Sequence, residues 1–538
     1  MRGFRCSAGA KAAAGLLVLG ASLLGLPAVG SAQNLPAVDT PFKEAPRPII
    51  GALREPLEDL PQVENFTLVG HTVIRNPGER IERGRNGAVS LAPPCAYVGN
   101  RLGRRSGTGP DFDNTLRDPE IAIVDISRPL RPRVVEHLRT PRGGTSRELR
   151  AFPELDTLYV QNFGANEEEA GASVNNFMIY DISDCRDPDL KATIDLGEWE
   201  PHEFFVWRDP NDGDRVLIYV NGGGSTEPWI RVYDVSNAIT GQEPQLVASF
   251  TMNPVVPTQE PVVPGQFNPN QFVFADPPTQ TSNVVHALSM NRAGTRLYIA
   301  GRQSGFYVID SSKLAAGESC IAANVTVDEN TNTNANLCLR KVNPDPDARI
   351  DPHPPVLPIA HSATKVPGRP YVLVSGERNG TTTCPWAHGK IIDVTVEAFP
   401  QELSPWMVPE NLAQNCFPGG PGDPALMREF STHQILPFRN LFFQSWYSAG
   451  LRAWDIANPW LPMETGVFVP KPEFPDVVEP FRDSPDVWMW SYPVLYNGNI
   501  YVMDENSGLF ILKYTGRRSR EVPSRGLFEG NAIGHRGR

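Results

Sequence analysis

Four histidines, His202, His286, His361 and His433, each open a short apolar run: PHEFFVW, VVHALSM, AHSATKV and STHQILPF. Each run leads to an aromatic and β-branched stretch that ends in Asp: IRVYD at Asp234, FYVID at Asp310, KIID at Asp393 and LRAWD at Asp455. Neutral imidazole is a ligand suited to Fe, Cu, Zn and Ni. One residue type at one position of four successive repeats predicts four imidazoles aimed at a single metal ion. With no Cys and no carboxylate at that position, the nitrogen site leaves coordination positions open to substrate or O2 when the metal is Fe or Cu. Zn or Mn fits this pattern less well.

The other repeats lack the histidine. Their aligned segments read NGAVSL, SRELRAF and WSYPVL. A purely structural consensus would not be confined to four neighbours. Tyr492 falls where His433 does, and Arg147 roughly where His286 does. With Glu148, Trp488 and Trp490 they would face the other half of the site and line a pocket for a small organic or anionic substrate. Tyr492, Arg147 and Glu203 are the candidate catalytic residues. Glu203, Glu377 and Glu505 are candidate carboxylates for holding the imidazoles in one tautomer. His71, His137, His353, His388 and His535 lie outside the repeated position. No phosphate-binding P-loop, Gly-x-Ser-x-Gly or His-Glu-x-x-His occurs.

The elements that must position these residues recur along the chain. A strand ending in apolar-Asp appears as IAIVD, FMIYD, IRVYD, FYVID, KIID and LRAWD, with Asp125, Asp181, Asp234, Asp310, Asp393 and Asp455 at its end. A further copy, GLFILKY, carries Lys513 instead. Each is preceded by a second short run, such as CAYVGN, TLYVQN or LIYVNG, bounded by turn residues. The Asp is expected to cap the following turn through backbone N–H groups. No segment keeps a helical period. Seven such units predict an all-β chain folded as a seven-bladed β-propeller with long inserted loops. The expected organisation is a signal peptide over 1–32, an extended N-terminal arm over 33–62, the propeller over 63–515 and a frayed tail over 516–538. Insertions at 251–282, 314–357 and 396–428 are read as loops on one face.

IAIVDIS followed by RPLRP resembles the repeat of the LVIVD-type propeller proteins, over most of residues 85–515. A histidine-lined propeller core resembles the selenium-binding protein/methanethiol oxidase family, which implies copper. Four histidines on a propeller axis also look like the ferrous centre of carotenoid-cleavage dioxygenases. That likeness extends only to His202, His286, His361 and His433, so it implies no substrate class.

Composition bounds the setting. The chain has 538 residues, 46 Gly and 53 Pro, and a formal net charge of −12. This acidity argues against nucleic acid or an anionic membrane surface as partner. Arg2, Arg5 and Lys11, an apolar Ala/Leu-rich stretch and the small residues Gly30-Ser31-Ala32 read as a secretory leader. After its removal no membrane-inserting stretch remains, and the protein would be periplasmic or extracellular. Six cysteines would then remain, with Cys95–Cys185, Cys320–Cys338 and Cys384–Cys416 as the expected pairs. The leading expectation is an exported oxidase or oxygenase acting on a small-molecule substrate. A non-catalytic interaction scaffold and a metal-dependent hydrolase or lyase are the alternatives.

Overall fold

The computed structural model describes residues 49–50, 61–74, 85–101, 120–141, 144–166, 172–222, 229–250, 285–301, 305–318, 338–342, 360–377, 386–412, 415, 428–471 and 487–533. The expected leader and insertion 251–282 lie outside them.

The chain forms the seven-bladed β-propeller. Each blade is a sheet of four antiparallel strands in chain order from the axis outward. Blade 1 is Arg85–Ala92, Cys95–Arg101, Glu120–Asp125 and Arg133–Arg139. Blade 2 is Gly144–Phe152, Thr157–Asn166, Asn176–Asp181 and Asp189–Asp195. Blade 3 is Pro201–Arg208, Val216–Gly222, Ile230–Asp234 and Gln245–Phe250. Blade 4 is Ala287–Met290, Arg296–Ala300, Phe306–Asp310 and the short Arg340–Lys341. Blade 5 is Ala360–Lys365, Tyr371–Gly376, Gly389–Asp393 and Gln401–Met407, so the third expected insertion contains an outer strand. Blade 6 is Ile435–Pro437, Leu441–Ser445, Leu451–Asp455 and Met463–Val469. Blade 7 takes Val494–Tyr496, Asn499–Asp504 and Gly508–Tyr514 from the end of the chain and Phe66–Thr72 from its beginning. This last pairing closes the ring.

The core lies between blades, not within one sheet. On Val216–Gly222, Leu217 and Tyr219 pack toward blade 4, while Ile218 and Val220 pack toward blade 2. Both faces of a middle strand are therefore buried, and its sequence reads as a continuous apolar run split by the two-residue period of the strand. The Asp caps are present in all six Asp-bearing repeats. Asp125, Asp181, Asp234, Asp310, Asp393 and Asp455 each accept from the backbone N–H two residues on, at 2.7–3.0 Å. The Ser127 and Ser183 bonds hold the Asp125 and Asp181 carboxyls below their usual range.

Both chain ends depart from the expected arm and tail. Ile49–Ile50 pairs with the outer strand of blade 5, and Gln62–Glu64 with that of blade 6. Edge pairing uses backbone groups, so it needs no apolar period that a sequence would reveal. The tail is not frayed, because residues 527–533 cross the central channel. Leu527–Phe528 pairs with the innermost strand of blade 7, and Ala532–Ile533 runs parallel to that of blade 3. Between them, Ser90 of blade 1 donates to Glu529 at 2.6 Å. A Cβ on Gly530 would lie 2.1 Å from the Ile435 carbonyl of blade 6. The strap therefore touches inner strands around the ring and closes the channel below the histidines.

Cys95–Cys185 joins blade 1 to the turn after the third strand of blade 2, as expected. Cys338 is also disulfide-bonded, while Cys320, Cys384 and Cys416 lie outside the described residues. The Cys95–Cys185 bridge spans a sequence separation of 90. Replacing both cysteines by Ser should cost about 2–4 kcal/mol by relaxing the unfolded chain. Chemical denaturation of the oxidised protein and of the double variant would show this; an unchanged midpoint would rule it out.

Candidate metal centre

The four histidines stand where the innermost strands begin. In blade 3 the register passes from Pro201↔Gly222 to Glu203↔Asn221, so His202 is an extra residue bulged out of the ladder. In blade 5 it passes from Ala360↔Gly376 to Ser362↔Ser375, and His361 is the extra residue. A bulge takes one side chain out of the two-residue alternation and re-aims it, here toward the axis. His286 and His433 sit just before their strands, each donating its backbone N–H to the partner strand, to Ala300 and Ser445 at 2.8 and 3.1 Å. Side chains on the preceding blade hold this level in place. Gln161 donates to the His202 carbonyl at 2.9 Å, and Asn221 to the Val285 and His286 carbonyls at 2.8 and 2.7 Å.

The rings meet. Successive centroids are 4.2 Å apart for His202–His286, 3.9 Å for His286–His361 and 3.9 Å for His361–His433. His202 Nε2 and His286 Nε2 are 2.8 Å apart. Glu377 lies against three of the rings, with Oε2 3.4 Å from His286 Nε2 and 3.7 Å from His361 Nε2, and Oε1 3.5 Å from His433 Nε2. Glu203 Oε1 is 3.8 Å from both His286 Nδ1 and His361 Nε2. A metal bonded at about 2.0–2.1 Å keeps neighbouring donor atoms about 2.9–3.4 Å apart, so these spacings are close to those of a coordination shell. His202, Glu203 and His286 form one group able to hold an ion, and His286, His361 and Glu377 another. Imidazole with carboxylate is a donor set that suits Fe and Cu as well as Zn. His433 Nδ1 bonds the Trp490 carbonyl. A carbonyl only accepts, so Nδ1 carries a proton and Nε2 is the ring atom placed to act as a ligand.

Glu203 and Glu377 are 4% and 7% exposed. Burial, and then the charge of Glu148, pushes the Glu203 carboxyl well above its ordinary range. Gln434 steadies it by donating to Oε1 at 2.7 Å. Two acidic groups buried among four imidazoles are costly when ionised unless a cation or a shared proton compensates them.

The remaining candidates divide. Arg147 occupies the bulged stretch of blade 2, where Thr145↔Phe163 gives way to Glu148↔Gln161. Its Nη2 lies 3.1 Å from Nδ1 and 3.0 Å from Nε2 of His202 and donates to the His202 carbonyl at 3.1 Å. Tyr492 does not meet the cluster as His433 does. Trp490 takes that place, 5.6 Å from the His433 ring. Pro493 has no N–H, and the inner strand of blade 7 starts only at Val494. Tyr492 sits over the Arg150 guanidinium at 5.2 Å. Burial, then Glu203, pushes its hydroxyl well above the usual range. Glu505 pairs with Arg85 at 2.5 Å. Glu148 pairs with Arg150 at 2.9 Å.

Tyr447 was not evident in the sequence. Its hydroxyl donates to Glu377, its ring lies 5.1 Å from His433, and its φ is +34°. A bulky residue held in the left-handed region stores strain of about 1–3 kcal/mol, of the kind found at functional sites. The detectable signal is an aromatic in FQSWYSAG, where other blades place Gly or Asn in the same turn.

No family model matches the chain, and no curated protein matches it. Solved structures with a similar arrangement include Sqt1 from Chaetomium thermophilum, at 12% identity and a TM-score of 0.43, covering 87% of this chain and 98% of that one. The same protein bound to the N-terminus of ribosomal protein L10 covers 83% and 95%, with the same identity and score. The β-propeller domain of Cps50 (Swd1) from Myceliophteria thermophila has 9% identity and a TM-score of 0.41, covering 84% and 98%. Likenesses at these scores bear on neither the site nor its chemistry.

Proposed function

We propose that the protein is an exported metalloenzyme with one Fe or Cu ion on the propeller axis, catalysing an O2-dependent oxidation of a small organic substrate. The observation that carries this reading is the burial of Glu203 and Glu377 among four converging imidazoles. A histidine consensus needed only for packing would not require buried acidic groups at its centre. His202, His286, His361 and His433 would hold the ion, with Glu377 as a fifth donor or as the base that fixes their orientation. The ion would supply Lewis acidity and redox chemistry toward O2. Arg147 and the neighbouring aromatic rings would orient substrate. The LVIVD-type repeat and the likeness to methanethiol oxidases and carotenoid-cleavage dioxygenases agree with this reading. Export agrees with a disulfide between blades 1 and 2.

Metal analysis of the purified, reconstituted protein tests it. The expected result is about one Fe or Cu per chain, and O2 uptake in a screen of small reduced substrates. Selective retention of Zn or Mn would favour hydrolysis or lysis instead. A chain that takes up no metal would overturn the assignment.

A further inference from the structure

The strap of residues 527–533 closes one end of the channel, pairing with Val206 and Trp207 of the strand that begins beside His202. His286, His361 and His433 are buried, at 4%, 0% and 4% exposure. Among the described residues at the cluster, His202 and Arg147 are half-buried, so their edge is its more open side.

That edge carries a cation framed by flat apolar surfaces. The Arg147 guanidinium lies 5.2 Å from the Phe163 ring centre and 5.8 Å from that of Trp490. Trp490, Trp488 and Tyr447 form an apolar cluster separate from the interblade cores. The Arg147 Nη2 is within 3.1 Å of both ring nitrogens of His202. A metal held by His202 would therefore sit close to a guanidinium. Two neighbouring cations attract an anion between them, and the planar fork of Arg matches a carboxylate's two oxygens.

We propose that Arg147 and the rings beside it form a binding site for the carboxylate of a flat, apolar acid, entered from the His202 edge. The proposal rests on the metal reading for its catalytic meaning, but the anion site itself stands on Arg147 and the aromatic rings. The carboxylate would bridge toward the centre, while the apolar body lies against Trp490 and Phe163. This places the substrate among aryl or unsaturated carboxylic acids, not among neutral alcohols or cations.

Benzoate is a suitable probe, with benzyl alcohol as its neutral counterpart. Binding to the full chain would be followed by tryptophan fluorescence and calorimetry, with and without Fe(II) or Cu(II), and metal content measured in the same samples. The expected result is saturable benzoate binding that exceeds benzyl alcohol binding at least tenfold. R147Q should weaken benzoate at least tenfold, and R147K should recover part of the loss. Thermal melting of both variants identifies any folding defect, and R147K carries the test if R147Q does not fold. Benzoate binding unaltered by either folded variant, or no preference over benzyl alcohol, would overturn the proposal. A chain that holds metal without benzoate removes only this proposal. A chain that binds benzoate through Arg147 but no metal supports it while removing the metal reading.

Discussion

Replacing His286 by Ala should weaken binding of the proposed metal about 100-fold or more. His286 lies between His202, which it meets edge-on, and His361, to which it is tilted, and it touches both buried acidic side chains. Loss of groups that merely orient a ligand weakens metal binding about 10–100-fold, so loss of this donor should cost at least about 100-fold. Metal bound only by the native state stabilises it by about 4 kcal/mol at a thousand-fold excess over Kd. A hundred-fold weaker Kd returns about 2.7 kcal/mol of that at the same metal concentration. The parent chain should therefore melt well above its chelator-treated form, and His286→Ala should lose most of that difference. The comparison within each variant separates metal loss from any cost of the cavity. An unaltered metal content and an unaltered metal-dependent melting shift would sink the assignment of His286 as a ligand. His433→Ala should behave alike, since His433 Nε2 faces the same Glu377 carboxylate.

The second large effect concerns the strap. Ending the chain after Arg525 should destabilise it by about 3–6 kcal/mol, the transfer value of two large apolar side chains. Leu527 and Phe528 are 4% and 7% exposed, and both would be lost. The truncation also strips Ser90 of its bond to Glu529 and Val206 of its bond to the Asn531 carbonyl. Besides a lower melting temperature, the truncated protein should show faster acrylamide quenching of tryptophan. The cause would be water entering the channel from below. Equal melting temperatures for the full and truncated chains would exclude a structural role for the strap.

Much of the fold was legible because the repeat is written in local chemistry. The apolar-Asp strand marks a blade's third strand and its turn cap, and six of six such aspartates accept the expected bond. Four histidines at one repeat position were enough to place four rings together, since each innermost strand starts at the same level of the channel. What the sequence does not show depends on departures from the repeat. The bulges at His202 and His361 alter which way a side chain points without altering the spacing of apolar residues. Tyr492 was displaced because Pro493 delays strand pairing, and the Glu505–Arg85 pair joins segments more than 400 residues apart, which no local pattern announces. Strap and edge strands pair through the backbone, which leaves little trace in side-chain pattern.

Ring closure has a kinetic consequence. Phe66–Thr72 is made early and its partner Gly508–Tyr514 nearly last, so one sheet must wait for almost the whole chain. Contacts between such distant segments slow folding, because the entropy of closing the intervening loop is lost before the pairing rewards it. Until then Phe66–Thr72 lacks its partner and presents an open backbone edge, a surface on which nascent chains can associate. A newly made chain would spend its most aggregation-prone interval with six blades formed and only the outer strand of the seventh made. Dilute refolding, or a holding chaperone during synthesis, should therefore raise the yield of this protein more than added stability would.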